Sequence, residues 1–286
     1  VWFVGVMAAE DEEGGQQAQQ DVSAPEEALE DSKMDTLTPK EFVDMIAREG
    51  EQLLVKWHKM ITKNPPKVDA FLEPSNASKN RFPNILLYDR SRVKINDNLG
   101  EDYYHASFVD SYDKIDGYIL AQAPFDDSTE SDFWRLVYQE RPRLIVLLSA
   151  LTGADDKKLL RNFWPNEAKL ERRFVNGYIV VRCNSVDQVK LESARAIKEF
   201  RNGPICLVCP SGVHRCGTFA VLDIILERLA NERKVGLLET VAIVRKQRYG
   251  CVTHFTHYNH VANMIVRQAI SSGIVDHSCI GGSKKK

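Results

Sequence analysis

The stretch of this chain able to do chemistry is Ile205-Cys206-Leu207-Val208-Cys209-Pro210-Ser211-Gly212-Val213-His214-Arg215-Cys216-Gly217-Thr218. An apolar run ends at a cysteine, a short loop follows, and an arginine opens an amphipathic helix. Such a junction makes an anion cradle. Backbone N–H groups at the helix N-terminus converge, the helix dipole stands behind them, and a guanidinium forks around the ligand. A Cys209 thiolate facing the same point would be stabilised and nucleophilic. Cys209 and Arg215 are therefore the candidate catalytic pair. Pro210, Ser211, Gly212, Val213 and His214, with Arg215 itself, form the candidate anion-binding loop. The Cys-x5-Arg spacing alone is a weak signal, and its place between a buried strand and a helix strengthens it.

The cradle needs a strand that ends at Cys209 and a helix that starts near Arg215. Apolar runs at Tyr118–Ala121, Leu144–Leu148, Tyr178–Val181 and Ile205–Val208 read as strands. They are continuous rather than alternating, which predicts strands covered on both faces. Helical stretches at 130–140, 190–201, 215–232, 237–248 and 256–270 lie between and after them. The expected class is α/β, with a central twisted, mixed but mostly parallel sheet flanked by helices. Upstream, Thr38-Pro39-Lys40-Glu41 combines a capping box with a first-turn proline. Phe42, Ile46, Leu53, Leu54, Trp57 and Ile61 then predict a long amphipathic helix, broken near Gly50 and ending before Pro65. Residues 1–35 are expected to be a disordered acidic segment, 36–272 the folded domain, and 273–286 a flexible basic tail.

With 286 residues, 43% of them hydrophobic, the chain can bury one large core. Its net charge of −2 hides an asymmetry: residues 1–32 hold nine acidic residues and no Lys or Arg, leaving +7 on the remainder. A mildly basic domain favours an anionic partner. No dense Lys/Arg stripe with interleaved aromatics appears, so nucleic acid is not an expected partner. No apolar run reaches the roughly 18 residues of a membrane span. Val1–Ala9 is apolar but short and lacks the basic flank of a signal segment. Six unevenly spaced cysteines suit a reducing cytosol better than a disulfide framework, so a cytoplasmic location is expected and the Asn76-Ala77-Ser78 sequon carries little meaning.

Cys206 and Cys209 could instead be a redox pair, or half a zinc site completed by His214 and Cys216. Cys206 lies inside an apolar strand, where cysteine behaves as a small hydrophobe. His254, His257 and His260 recur every three residues without an acidic or cysteine partner nearby, which favours surface or capping roles over metal. No metal and no cofactor are expected.

Further segments extend the pattern. Lys79-Asn80-Arg81-Phe82, Asp89-Arg90-Ser91-Arg92-Val93, Asp102-Tyr103-Tyr104-His105-Ala106-Ser107-Phe108, Tyr118-Ile119-Leu120-Ala121-Gln122-Ala123-Pro124, Ser131-Asp132-Phe133-Trp134, Phe163-Trp164-Pro165 and Arg245-Lys246-Gln247-Arg248 follow one another in order. Over roughly residues 40–270 the chain resembles the protein tyrosine phosphatases. The resemblance implies that family's fold, with Cys209 attacking phosphorus, Arg215 clamping the phosphoryl oxygens, and Phe82 in the phosphotyrosine-recognition loop. It also implies an Asp on a Trp-Pro-Asp loop as general acid, and glutamines that position water against the phosphocysteine.

Several of those parts are altered. Val208 stands where the family has His before the nucleophile, which predicts a less activated Cys209. Pro210 removes one N–H from the cradle. His214 replaces a glycine, which adds strain or bulk if that position needs positive φ, and Cys216 replaces a hydroxyl. Only 45 residues separate Trp164 from Cys209, with no Trp-Pro-Asp among them. One placement of the deletion puts Asp187 at the acid's position, behind Ser185 and Val186; another removes the loop altogether. Thr253 and His257 replace the two glutamines. Phe82 keeps an aromatic wall in place of Tyr, whereas Asn84 replaces the Asp that holds the peptide backbone. The expected function is binding of a tyrosine-phosphorylated protein or peptide, or of another partner protein, without turnover. A slow phosphatase using a phosphocysteine intermediate is the alternative, and a scaffold that ignores phosphate is a third class.

Overall fold

The computed structural model describes residues 2–5, 37–61, 67–153, 158–185 and 203–276. Six strands form the central sheet, in the spatial order β1 (Trp2–Gly5), β5 (Leu144–Leu147), β8 (Ile205–Cys209), β4 (Tyr118–Gln122), β3 (Tyr103–Val109) and β2 (Arg92–Lys94). The first four run parallel, and β3 and β2 add antiparallel. The sheet is therefore mixed with a parallel core. β8, apolar throughout, lies between β5 and β4 with every residue buried.

Alternate residues of β8 enter two different layers, as the twofold period of a strand requires. Leu207 and Cys209 pack with Phe42, Leu54, Val221 and Ile265, from the helices on one face. Cys206 and Val208 pack with Phe133, Trp134, Leu136 and Phe163 on the other. The first face is covered by α1 (Pro39–Glu49), α2 (Glu51–Met60), α5 (His214–Glu232), α6 (Leu237–Gln247) and α7 (Phe255–Ser271). The second is covered by α4 (Asp127–Glu140), which Asp126 caps by accepting the Thr129 N–H at 2.8 Å. A four-residue helix, α3 (Asp69–Leu72), precedes the recognition loop. No helix among the described residues is long and apolar enough to cross a membrane.

The predicted amphipathic helix is present and broken where expected: Gly50, at φ 60° and ψ −147°, separates α1 from α2, and Thr38 and Glu41 close the capping box. Two expectations change. The run at Tyr178–Val181 is not covered on both faces. It contributes β7 (Ile179–Arg182), which pairs only with β6 (Glu171–Phe174) in a surface hairpin, and Tyr178 is 75% exposed. Four apolar residues are too few to distinguish a buried strand from such a hairpin. Trp2–Gly5, grouped above with the disordered tail, forms the edge strand β1 beside β5; its Trp-Phe-Val sequence has the bulky aromatic and β-branched character of strands. The helix expected at 190–201 lies outside the described residues.

Candidate active site

β8 delivers Cys209 to the carboxyl end of the sheet, where ligands of open α/β folds bind. The neighbouring strands hold that end in place: the Ala123 N–H donates to the Cys209 carbonyl at 2.9 Å, and the Leu148 N–H to the Val208 carbonyl at 2.7 Å. The chain then turns sharply back into α5. Gly212 sits at φ +65°, and a Cβ there would lie 2.4 Å from both the Ala121 carbonyl carbon and the Gln122 nitrogen. Only glycine fits. The Ser211 hydroxyl accepts the Val213 N–H at 3.2 Å and the His214 N–H at 3.4 Å, ordering the entry to the helix. His214 is the first residue of α5 and has no positive φ. The backbone strain expected of it is thus absent, and Gly212 carries the loop's left-handed residue.

Beneath the loop lies Arg248, fully buried. Its Nε donates to the Gly212 carbonyl at 3.1 Å, and its other nitrogens reach Ser107 Oγ at 3.1 Å, His105 Nδ1 at 2.9 Å and the Ser211 carbonyl at 3.5 Å. Nδ1 of His105 must accept, so Nε2 carries the proton and donates to the Ile85 carbonyl at 2.9 Å. Burial, and then the Arg248 charge, pull His105 down to about 3, which keeps it a neutral acceptor.

Cys209 is 1% exposed. Burial alone would raise its thiol, but hydrogen bonds from the Cys216 thiol and N–H, from Ser211 and from the Gly212 N–H outweigh it and bring Cys209 down to about 6. The expected loss of activation from Val208 is therefore offset inside the loop. Cys216, at the position of the missing hydroxyl, keeps its own proton because burial and the adjacent Cys209 push it up. Burial also raises Cys251 to about 12, behind Gly217. Cys206 is likewise pushed up by burial. It lies in the opposite layer from Cys209, so neither a Cys206–Cys209 disulfide nor a shared zinc site fits the strand.

Arg215 is half-buried and donates through a terminal nitrogen to Ser149 Oγ at 2.9 Å. Ser149 follows Leu148, which is tied to β8, so the guanidinium stays at the carboxyl end of the sheet. Across α5 stands a triangle of imidazoles. The His214 ring lies 5.2 Å from that of His254 and 5.8 Å from that of His257, and the last two are 5.5 Å apart. Burial, then His254, His257 and Arg215, pull His214 down to about 4. His254 is the N-cap residue of α7 without making a side-chain cap bond. The third member of the group is thus His214, from another element, and not His260. Among the described residues no His, Cys, Asp and Glu group is arranged to hold a metal ion. Thr253 turns inward, donating to the Gly250 carbonyl at 3.0 Å.

The recognition loop is pinned to the sheet beside the nucleophile. Gln122, the register partner of Cys209, accepts the Arg81 N–H at 3.1 Å and donates to the Lys79 carbonyl at 2.6 Å. Lys79 is further held by Asp132 at 2.9 Å and Glu101 at 3.0 Å. Phe82 is half-buried next to Arg81, and Asn84 is exposed. Pro210 lies between Cys209 and Ser211 in the turn. Asp187 lies outside the described residues.

The structure therefore gathers Cys209, Ser211, Gly212, Val213, His214 and Arg215 at one strand-to-helix junction. Sequence reasoning overlooked four supports: Gln122, Ser149, His105 and Arg248. Gln122, His105 and Arg248 all fall within motifs quoted above, Arg248 as a charged residue after the apolar run of α6, and Ser149 lies outside them.

A cysteine at a central strand end, a glycine-dependent loop and a helix-borne arginine define an α/β domain of the cysteine phosphatase type. The family model of protein-tyrosine phosphatase matches residues 76–200 and 182–267, and the chain belongs to that family. Tyrosine-protein phosphatase Lar of Drosophila melanogaster is 30% identical over 233 residues, covering 65% of this chain and 11% of that protein. Receptor-type tyrosine-protein phosphatase C of Homo sapiens is 28% identical over 251 residues, 71% of this chain and 19% of the relative. Receptor-type tyrosine-protein phosphatase S of Gallus gallus is 26% identical over 248 residues, 69% and 16%. The chain thus spans only between 11% and 19% of the length of these relatives.

Proposed function

We propose that this domain binds tyrosine-phosphorylated protein at the Cys209–Arg215 cradle without turning it over. One observation supports the reading: Cys209, the glycine-dependent loop and Arg215 meet at one strand-to-helix junction, while the mouth carries Thr253 and a cluster of imidazoles. A dianion needs the N–H groups of the loop, the dipole of α5 and the Arg215 fork. Turnover also needs a general acid, worth typically 10²–10⁴-fold, and a positioned water. The side chains around His214 are His254, His257 and Arg215, none of them acidic, which suits an anion more than a leaving-group acid. Phe82 would stack on the phosphotyrosine ring. The free thiols of Cys183, Cys206, Cys209, Cys216 and Cys251 suit a reducing, cytoplasmic setting.

A second reading, slow hydrolysis through a phosphocysteine, is favoured by the Cys209 thiol itself, lowered to about 6 and so largely ionised at neutral pH. Titration of a phosphotyrosyl peptide into wild type, Arg215→Ala and Cys209→Ser, with phosphate release followed in parallel, separates the two. Binding lost in Arg215→Ala, kept in Cys209→Ser and unaccompanied by release is the expected result. Stoichiometric release over minutes by the wild type, absent in Cys209→Ser, would establish the enzyme instead.

A further inference from the structure

The loop between α6 and α7 is strained and held from two sides. Val252 sits at φ +53°, a left-handed backbone that a β-branched side chain takes only where its surroundings leave no alternative. Arg245, buried in α6, donates through Nε to the Cys251 carbonyl at 2.9 Å and through a terminal nitrogen to the Val252 carbonyl at 2.6 Å. The second donor comes from a distant part of the chain. His58 of α2 places Nε2 3.1 Å from the same Val252 carbonyl. A carbonyl only accepts, so Nε2 carries the proton, and the Arg245 nitrogen 3.4 Å away shares that acceptor with it. The His58 ring is also wedged against the first turn of α7, its centre 6.0 Å from that of Phe255 and 5.2 Å from that of Tyr258.

The loop so held joins the two halves of the site. Before Val252, the Cys251 thiol donates to the Val213 carbonyl of the cradle at 3.6 Å, and its sulfur lies 2.6 Å from where a Cβ on Gly217 would stand. After Val252 come Thr253 and His254, whose ring meets that of His214 at the mouth. Relaxing Val252 to ordinary backbone would redirect the chain between these two contacts. We infer that His58 is a positioning residue for the anion site. By holding the Val252 carbonyl it keeps Cys251 against the cradle and His254 against His214, acting through the loop and not on the anion. The inference rests on the cradle reading above. Its consequence is that the packing of α2, far upstream in the chain, sets how the mouth presents its imidazoles.

Two substitutions separate the ring of His58 from its donor. His58→Phe keeps an aromatic ring beside Phe255 and Tyr258 without an N–H, and His58→Gln keeps an N–H donor without the ring. The imidazole signal of His254, assigned by its absence in His254→Gln, is followed by NMR in wild type and both variants, with urea midpoints to show that each is folded. A phosphotyrosyl peptide is titrated into the same three proteins. The expected result is a displaced His254 signal and about three- to tenfold weaker peptide binding in His58→Phe, the effect of one hydrogen bond. Both should return toward wild type in His58→Gln. A His254 signal unmoved in His58→Phe, or displaced equally in the two variants, would reduce His58 to a packing residue and overturn the inference. A displaced signal with unchanged peptide affinity would also overturn it, because the anion site would not depend on that placement. Failure of wild type to bind the peptide would instead overturn the cradle reading, with the His254 signal still deciding whether His58 sets the mouth.

Discussion

The floor and the mouth of the site are built differently. From Cys209 to Val213 the floor is set by backbone and by buried groups: strand partners on both sides, a glycine with no room for a side chain, and Arg248 bonded to the Gly212 carbonyl. The mouth is set by side chains that meet ring to ring, His214, His254 and His257, on the first turns of two helices. The backbone of the loop that would cradle an anion is thus tied to the fold itself, although the Arg215 side chain is not. On the proposed reading, completing a reaction would depend on side chains at the mouth, which are not built into the sheet. A domain of this kind can keep the first ability after losing the second.

The largest expected contrast is in stability. In Gly212→Ala the new methyl meets backbone atoms of β4 at 2.4 Å, which no rotamer can relieve, and φ +65° adds its own penalty of roughly 1–2 kcal/mol. Urea unfolding should show a loss of at least about 3 kcal/mol, together with loss of phosphate affinity. His214→Gly at the mouth should stay within about 1 kcal/mol of wild type, the helix-propensity cost of glycine. Wild-type stability in Gly212→Ala would break the distinction between floor and mouth.

Most of this architecture could be read from residue types. The β8 run, the cradle and the capping box of α1 each announce themselves locally, because a continuous apolar strand, a Cys-x5-Arg spacing and a Thr-Pro-x-Glu start are short-range signals. What could not be read is long-range. Nothing near Gln122 says that its side chain ties Lys79 and Arg81 to the sheet across more than 40 residues. Nothing near His214 says that it meets His254 and His257, because that contact depends on how α5 and α7 pack. The low Cys209 value was also missed, since it arises from Cys216 and the loop N–H groups and not from the residue before the nucleophile.

A smaller effect should appear in acid. His105 is neutral in the folded state down to about pH 3, whereas an unfolded histidine takes its proton near 6.5. Between those values the unfolded state binds more protons, so stability falls as pH falls through that window, by up to about 1.4 kcal/mol per pH unit. Above the window the contribution is flat. His105→Asn keeps a side chain able to accept from Arg248 but not to titrate, and should remove this part of the acid slope, measured as the difference from wild type in urea midpoints between pH 7 and pH 4. His214, lowered only to about 4 and half-exposed, should contribute less over a narrower range. An identical slope in wild type and His105→Asn would mean that Arg248 does not depend on a neutral imidazole.

The smallest effect tests whether the floor alone activates the thiol. If hydrogen bonds within the loop hold Cys209 near 6, removing the Cys216 thiol should raise it, while the Cys216 N–H, Ser211 and Gly212 keep it below the ordinary thiol value. One lost hydrogen bond to a charged sulfur corresponds to about one pH unit. Thiolate ultraviolet absorbance followed against pH, with the step that disappears in Cys209→Ser taken as the Cys209 step, gives the measurement. Cys216→Ala should move that step up by about one unit, and Cys216→Ser, which keeps a donor, should leave it near its original position. On the proposed reading, the wild-type sulfur at neutral pH would then be an ionised nucleophile, and a failure to release phosphate would be traced to the mouth. An unshifted step in Cys216→Ala would instead place the whole effect on the backbone N–H groups and the α5 dipole, with the substitution at Cys216 irrelevant to the charge on Cys209.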